Sequence, residues 1–414
     1  MRRKNGTLAF VLGLCMLLGG CVPKAASSGP LPGDASEQSV EGDSAVSQPK
    51  GEAGDAAQKI EELLTGMSLR EKVGQLFFVR PDALDPAQDQ SRIDDADARG
   101  VTALTDAMGE TLRQYPVGGV VLFGKNLTDP GQLTAFTADL HEAGEIPLLV
   151  AVDEEGGSVA RLANHPGFDD LPDYPDAAEV AASGGAEAVR EMSASIGRYL
   201  VQYGIDLDFA PVADVNTNPD NPVIGRRAFS DDPQQAAEMV AAAVEGFQEA
   251  GVLCCLKHYP GHGDTAEDSH KALAVTQKSW QELLSCELVP FQAGIDAGAD
   301  LVMAGHIAAP QVTGEDTPAS LSQPLLQSLR QELGFDGVIV TDSLAMEGIT
   351  GLYTPGQAAV LAVQAGVDIL LMPDGLAEAF DAVVAAVEDG TIPQSRIDES
   401  AARVLALKAK RGLI

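Results

Sequence analysis

Three of the six histidines in this chain, His258, His262 and His270, fall between Lys257 and His270. Asp264, Asp268 and Lys257 sit among them. Histidine titrates near neutrality, so it can give a proton in one step and take one in the next. Asp268, two residues before His270, can accept an imidazole N–H and fix the tautomer. Pro260, Gly261 and Gly263 break regular structure, so residues 257–270 read as a loop. The glycines around His262 give that loop freedom to close. It follows the apolar run 252–256, which reads as a buried strand. A strand that runs into a loop dense with titratable groups is where α/β enzymes carry their chemistry.

The elements that must position these groups repeat along the chain. Eight short apolar segments stand at 74–79, 118–123, 147–152, 207–212, 252–256, 301–304, 337–341 and 368–372. Most are continuous and not alternating, as in parallel strands covered on both faces. Helical patterns lie between them at 131–143, 186–203, 233–250, 280–297, 323–333, 356–365 and 376–388, and a last one at 397–411 closes the chain. The pattern predicts an α/β fold, a single (β/α)₈ barrel. Charged groups collect after the strands: Asp153-Glu-Glu-Gly-Gly157 after the third, Asp214 after the fourth, 257–270 after the fifth, His306 after the sixth and Asp342 after the seventh. That is the C-terminal rim, where barrel enzymes place active sites. The acidic, polar run 81–115 reads as an insertion after the first strand, with no function assigned to it.

Lys257-His-Tyr-Pro-Gly-His-Gly263 followed by Asp268-Ser-His270 resembles the signature of glycoside hydrolase family 3, in its bacterial β-N-acetylglucosaminidase branch. Asp153-Glu-Glu-Gly-Gly157, Val223-Ile-Gly-Arg-Arg-Ala-Phe229 and Val340-Thr-Asp-Ser-Leu344 are similar to three further motifs of that family, in its order. The resemblance implies that Asp342 is the nucleophile, His270 the general acid/base and Asp268 its orienting acid. It further implies that Asp153, Arg161, Arg227, Lys257 and His258 grip sugar hydroxyls. Ser158 stands where many relatives carry Arg, and Arg226 where an acid is common. Both departures concern the rim of the sugar pocket. A retaining glycosidase needs one carboxylate to attack the anomeric carbon and a separate proton donor for the leaving oxygen. An acid/base histidine in the strand-five loop, with no second domain after the barrel, favours the hexosaminidase branch over β-glucosidases.

Taken singly, these residues have plainer readings. Asp342 alone could cap the next helix, and His258 alone could be a satisfied core residue. His306 reads equally as packing or ligand contact, and His262 as a brace of its loop. Glu154 and Glu155 read as partners of the glycine turn, and Asp214 as a cap or pocket wall. His258, His262 and His270 with Asp264 and Asp268 could form a zinc site. They lack a rigid helical pair, and Lys257 would oppose a cation, so no metal or cofactor is expected. Gly119 to Lys125 has the spacing of a phosphate-binding loop, but its middle is a strand, and Asn126 replaces the magnesium-binding hydroxyl. A sugar-binding lipoprotein is the non-enzymatic alternative; two lobes would be expected there.

Composition bounds the rest. A net charge of −34 argues against nucleic acid or an anionic membrane as a partner of the folded surface. The expected partner is a carbohydrate, and the expected assembly a monomer. Residues 1–21 read as a lipoprotein signal: Arg2, Arg3 and Lys4, an apolar stretch, then Leu18-Gly-Gly-Cys21, with Cys21 acylated. Residues 22–57 read as a disordered tether rich in Ser, Gly, Pro, Ala and acids, and 58–414 as the catalytic barrel. The expected location is the extracytoplasmic face of a bacterial membrane. Cys254 and Cys255 read as small core residues.

Overall fold

The computed structural model describes residues 50–266 and 273–414. Eight parallel strands form one sheet: β1 (Phe77–Val79), β2 (Gly119–Val121), β3 (Leu149–Val152), β4 (Leu207–Asp208), β5 (Leu253–Tyr259), β6 (Leu301–Ala304), β7 (Val338–Thr341) and β8 (Leu370–Leu371). Neighbours in sequence are neighbours in space from β1 to β7. β8 returns to β1, with Phe77 opposite Leu370. A parallel bridge from Val340 to Ile369 joins β7 to β8, and the Thr341 N–H donates to the Ile369 carbonyl at 3.0 Å. The sheet is thus a barrel.

Alternation along each strand splits the apolar residues into two cores. Phe78, Val121, Leu149, Ala151, Leu207, Cys255, Met303 and Val340 point inward and pack together. Phe77, Val120, Val150, Val152, Cys254, Leu256, Val302 and Ile339 pack outward against the helices. Both faces are dry, which is why the strands read as continuous apolar runs. Cys254 and Cys255 are buried thiols on opposite faces, and burial pushes both well up. The C-terminal helix Gln394–Lys410 crosses the N-terminal end of the barrel, where Val404 and Leu407 join the inner core.

Several expected boundaries shift. β5 runs to Tyr259, so Lys257 and His258 are strand residues and not loop residues. Their polar side chains sit in the wall because opposite charges from β3 and β4 meet them there. Gly74 lies in the helix Leu69–Gln75, ahead of β1. The helix expected at 280–297 is two, Trp280–Ser285 and Leu288–Asp296. The ring of Pro290 excludes a helical hydrogen bond to the Cys286 carbonyl and breaks the run. The helix Lys50–Gly66 begins inside the segment 22–57, where alanines favour helix and Leu64 packs on the core. Finally, the run 81–115 is not all insertion. Its helix Asp106–Gln114 is the crossover between β1 and β2, which leaves 81–105 as the added wall.

Candidate active site

β3 delivers Asp153 to the rim, and a short antiparallel hairpin, Glu154–Gly156 with Val159–Ala160, folds back over it. Gly157 turns this hairpin at φ 58°, and a Cβ there would lie 2.4 Å from Asp176 Oδ1, so only glycine fits. Glu154 fixes the return strand. Its carboxylate accepts the backbone N–H groups of Leu162 and Ala163 at 2.9 Å, that of Arg161, and the Tyr199 hydroxyl at 2.8 Å. Glu154 therefore builds the glycine turn and brings Arg161 opposite Asp153, with Arg161 NH2 3.6 Å from Asp153 Oδ2.

Lys257, on β5, reaches across β4 to these acids. Its buried Nζ lies 2.8 Å from Asp153 Oδ1 and 2.6 Å from Glu155 Oε1. Arg227, in the turn Gly225–Arg227, donates Nε and NH2 to Glu155 at 2.8 and 2.7 Å and NH1 to the Val223 carbonyl at 3.2 Å. Burial alone would raise both carboxyls, but Lys257 with Arg161 holds Asp153 below the usual range, and Lys257 with Arg227 holds Glu155 far below it. Burial likewise opposes the Lys257 charge, and Asp153 and Glu155 outweigh it and raise the amine. The charged forms are favoured because Lys257 serves both acids, Arg227 serves Glu155 and a carbonyl, and Arg161 faces Asp153.

Asp214 ties the next part together. Its Oδ2 is 2.8 Å from His258 Nδ1, and its Oδ1 accepts the backbone N–H groups of His258 at 3.2 Å and His262 at 2.7 Å. The carboxylate thus orients the His258 ring through Nδ1. His262 is buried, with Thr265 Oγ1 2.6 Å from its Nδ1. Burial, then His258, lowers its basicity, while Asp214 and Asp342 act the other way. The glycines here serve packing and not loop freedom. A Cβ on Gly263 would sit 1.8 Å from the Val215 carbonyl oxygen, and one on Gly261 would sit 2.5 Å from Glu287 Cγ. Asn221 bridges the two loops by donating to the His262 carbonyl at 2.8 Å and accepting from Val223 and Ile224.

Asp342 follows β7 and is half-buried. Its N–H donates to the Ala304 carbonyl at 2.9 Å, and its Oδ1 accepts the Ser343 N–H at 2.7 Å. His306 supports this corner from β6, with Nδ1 2.8 Å from Ser320 Oγ and Nε2 2.8 Å from the Ser343 carbonyl oxygen. Of the residues singled out from sequence, Asp153, Arg161 and Lys257 meet directly, Arg227 joins through Glu155, and His258 joins through Asp214. Asp342 stands on the same rim. Asp268, His270 and Cys21 lie outside the described residues. Glu155, expected as a partner of the glycine turn, and Asp214, expected as a cap or pocket wall, hold Arg227, Lys257 and His258 in place. The signal for Glu155 was its adjacency to Asp153 in a glycine-bounded run. Among the described residues no group of three His, Cys, Asp or Glu side chains could hold a metal.

Many chemistries use an eight-stranded barrel with charged groups on its C-terminal rim, and comparison with known proteins places this one among the sugar-cleaving enzymes. Residues 68–407 match the glycosyl hydrolase family 3 N terminal domain, and the chain belongs to that family of glycoside hydrolases. It is 35% identical over 336 residues to Beta-hexosaminidase A of Pseudoalteromonas piscicida, covering 75% of this chain and 56% of that protein. It is 37% identical over 321 residues to Beta-hexosaminidase LpqI of Mycobacterium tuberculosis, covering 75% and 80%. A solved family 3 β-N-acetylglucosaminidase from a Paenibacillus species aligns with a TM-score of 0.75 at 39% identity, over 84% of this chain and 63% of that one. The chain therefore spans little more than half of some relatives and four-fifths of others. No helix among the described residues is long and apolar enough to cross a membrane.

Proposed function

We propose that this chain is an exo-acting, retaining β-N-acetylhexosaminidase that removes terminal β-linked N-acetylglucosamine from glycans such as peptidoglycan fragments. The observation that carries the reading is the convergence of Asp153, Arg161, Lys257, His258 and Asp342 on one rim, in a chain 35% and 37% identical to two proteins named beta-hexosaminidase. In this reading Asp153, Arg161, Lys257 and His258 grip the sugar hydroxyls, and Arg227 holds Glu155 against Lys257. Asp342 attacks the anomeric carbon while His270 protonates the leaving oxygen. Water then attacks the glycosyl-enzyme, His270 takes its proton, and the Asp342 carboxylate departs with net retention. Asp268 orients His270. Cys21 carries a lipid that tethers the barrel, through residues that follow it, to the extracytoplasmic face of the membrane.

A solved beta-glucoside phosphorylase aligns with a TM-score of 0.73 at 26% identity, which supports a plain glucoside and phosphate as the competing pair. A panel of aryl β-glycosides, with and without phosphate, separates the readings. Turnover of the N-acetylglucosaminide well above the glucoside, with free N-acetylglucosamine released, is the expected result. Equal efficiency on both, or release only as the sugar phosphate, overturns it. The tether has its own test: Cys21→Ala moves the protein from the membrane to the soluble fraction, and an unacylated, wholly soluble wild type removes the idea.

A further inference from the structure

Arg161 is held in an unusual way. Among the described residues its guanidinium makes no hydrogen bond, its buried Nε has no partner, and the acid it faces is Asp153, with Oδ2 at 3.6 Å. Its Cζ instead lies 5.3 Å from the centre of the Phe123 ring. Arg80 stacks on the same ring at 4.8 Å, also with a buried Nε that has no partner. A buried N–H with no acceptor is costly, and the face of an aromatic ring reduces that cost. The two arginines differ in what else they do. Arg80 NH1 donates to the Ile93 carbonyl and to Asp94 Oδ1, both at 2.7 Å. Arg161 has no such tie and borders a cavity of about 360 Å³ that Arg80 and Phe123 also line.

The ring itself is fixed by the segment for which the sequence offered no role. Phe123 donates its N–H to Asn126 Oδ1 at 3.0 Å. Asn126 in turn donates to Asp82 Oδ2 at 2.8 Å and to the Val101 carbonyl at 2.9 Å. Lys125 Nζ donates to the carbonyls of Arg92 and Ile93 at 2.8 Å and of Asp95 at 3.1 Å. Residues 81–105 are thereby stitched around Phe123 on one side, while Arg161 rests on the ring.

We propose that Phe123, braced by Arg80, is a positioning residue that sets the Arg161 guanidinium for the sugar, and that segment 81–105 exists to hold it. Stacking fixes the plane of Arg161 and leaves its N–H edges for ligand oxygens, which hydrogen bonding to the protein would occupy. The proposal rests on the sugar-gripping reading of Arg161. Its test is a double-mutant cycle between positions 123 and 161, read by calorimetry with N-acetylglucosamine and by kinetics with an aryl N-acetylglucosaminide. Phe123→Leu keeps the apolar volume and removes the ring. It is expected to raise Kd and KM about five- to thirtyfold, the range of a partly desolvated cation–π contact, with a smaller fall in kcat. Phe123→Tyr restores both. In an Arg161→Ala background, Phe123→Leu adds nothing further. An equal cost in both backgrounds, or a loss confined to kcat, overturns the proposal. A wild type that binds the sugar but does not cleave the glycoside removes the hydrolase reading, and the cycle on Kd still decides this one. A wild type that binds no N-acetylglucosamine removes both.

Discussion

The two ends of the barrel handle buried charge in opposite ways. At the N-terminal floor each acid is closed off. Asp206 accepts the Val150 N–H from β3, Asp300 the Cys254 N–H from β5, and Asp368 the Ile339 N–H from β7. The second oxygen of each meets a cation from the end of the chain: Arg411 for Asp206, Lys410 for Asp300, and Arg396 with Arg403 for Asp368. Arg330 completes the last cluster at 2.7 Å. The floor is an electrostatic clasp between alternate strands and the closing helix. At the rim the acids also have partners, but the pairing is incomplete. The Arg161 guanidinium has no hydrogen bond among the described residues, and buried Asp208 Oδ2 has no partner. Each floor acid is paired at both oxygens without a ligand, and the one floor group left over among the described residues is a donor, the buried Arg396 Nε. The rim keeps donors and acceptors in reserve, as a site for a polar ligand must.

The largest expected effect sits at the rim. Asp342→Ala removes the proposed nucleophile and should lower kcat about a thousandfold or more on every aryl glycoside, with little change in thermal midpoint. Mass spectrometry after trapping a slow fluorinated sugar should place the label on Asp342. A label on Asp153 or Asp214 would reverse the assignment of gripping and attacking acids. The counterpart at the floor is Asp368→Ala. It strips three guanidiniums of their shared acid and should cost about 3–5 kcal/mol in denaturant unfolding, the range for breaking a buried ion pair. KM for the aryl glycoside should be unchanged in the folded protein. A shift in KM as large as the loss of stability would mean that the two ends are coupled.

Much of the floor was legible in the sequence, and it was not read. Gly204-Ile-Asp206, Gly298-Ala-Asp300 and Gly366-Val-Asp368 are one repeated phrase ahead of β4, β6 and β8. Each glycine has positive φ, 74°, 91° and 114°, and ends a helix. Each acid then crosses to the strand before. The strands themselves were readable because both faces are apolar. The rim was harder for a physical reason. Lys257 and His258 are polar and precede Pro260, so local pattern assigns them to a loop. What makes them strand is charge from Asp153, Glu155 and Asp214, more than 40 residues away in sequence. The family resemblance supplied the residues of the site, but not that Glu155 and Asp214 support them or that Phe123 underlies Arg161.

Lys408 is the exception that sharpens the comparison. It lies at the floor, fully buried, with Nζ 2.6 Å from the uncharged Gln75 Oε1. Burial brings its amine down to about 7, with only a partial counter-effect from Asp206. The unfolded chain holds this proton up to about pH 10.4, so between 7 and 10 it binds more protons than the folded one. Wild-type stability should therefore rise with pH across that window. Lys408→Met should remove this contribution and stabilise the protein by about 2–4 kcal/mol at pH 7, with the difference fading toward pH 10. A constant difference from pH 7 to 10 would mean that the amine is charged throughout and held by more than Gln75.

The last expected effect returns to the rim. Asp208, at the end of β4, accepts the Glu154 N–H at Oδ1 at 2.9 Å, and burial holds its carboxyl far above the usual range. Burial thus favours its neutral form, beneath an Asp153 that Lys257 and Arg161 keep ionised. Below about pH 3.9 it is protonated in the folded and unfolded chain alike. Above that pH only the unfolded chain gives up the proton, so the group opposes folding as pH rises, the reverse of an ion-paired aspartate. Asp208→Asn keeps the acceptor for Glu154 and has no proton to retain. It should stabilise the protein at pH 7, by about 1.4 kcal/mol for each pH unit over which the folded carboxyl keeps its proton above about 3.9, and leave stability unchanged at pH 3. Asp208→Ala instead orphans the Glu154 N–H, and should be about 1–3 kcal/mol less stable than Asp208→Asn at both. If Asp208→Asn destabilises at pH 7, the carboxylate is charged in the folded protein, and the rim holds one more negative group in reserve than this comparison assigns it.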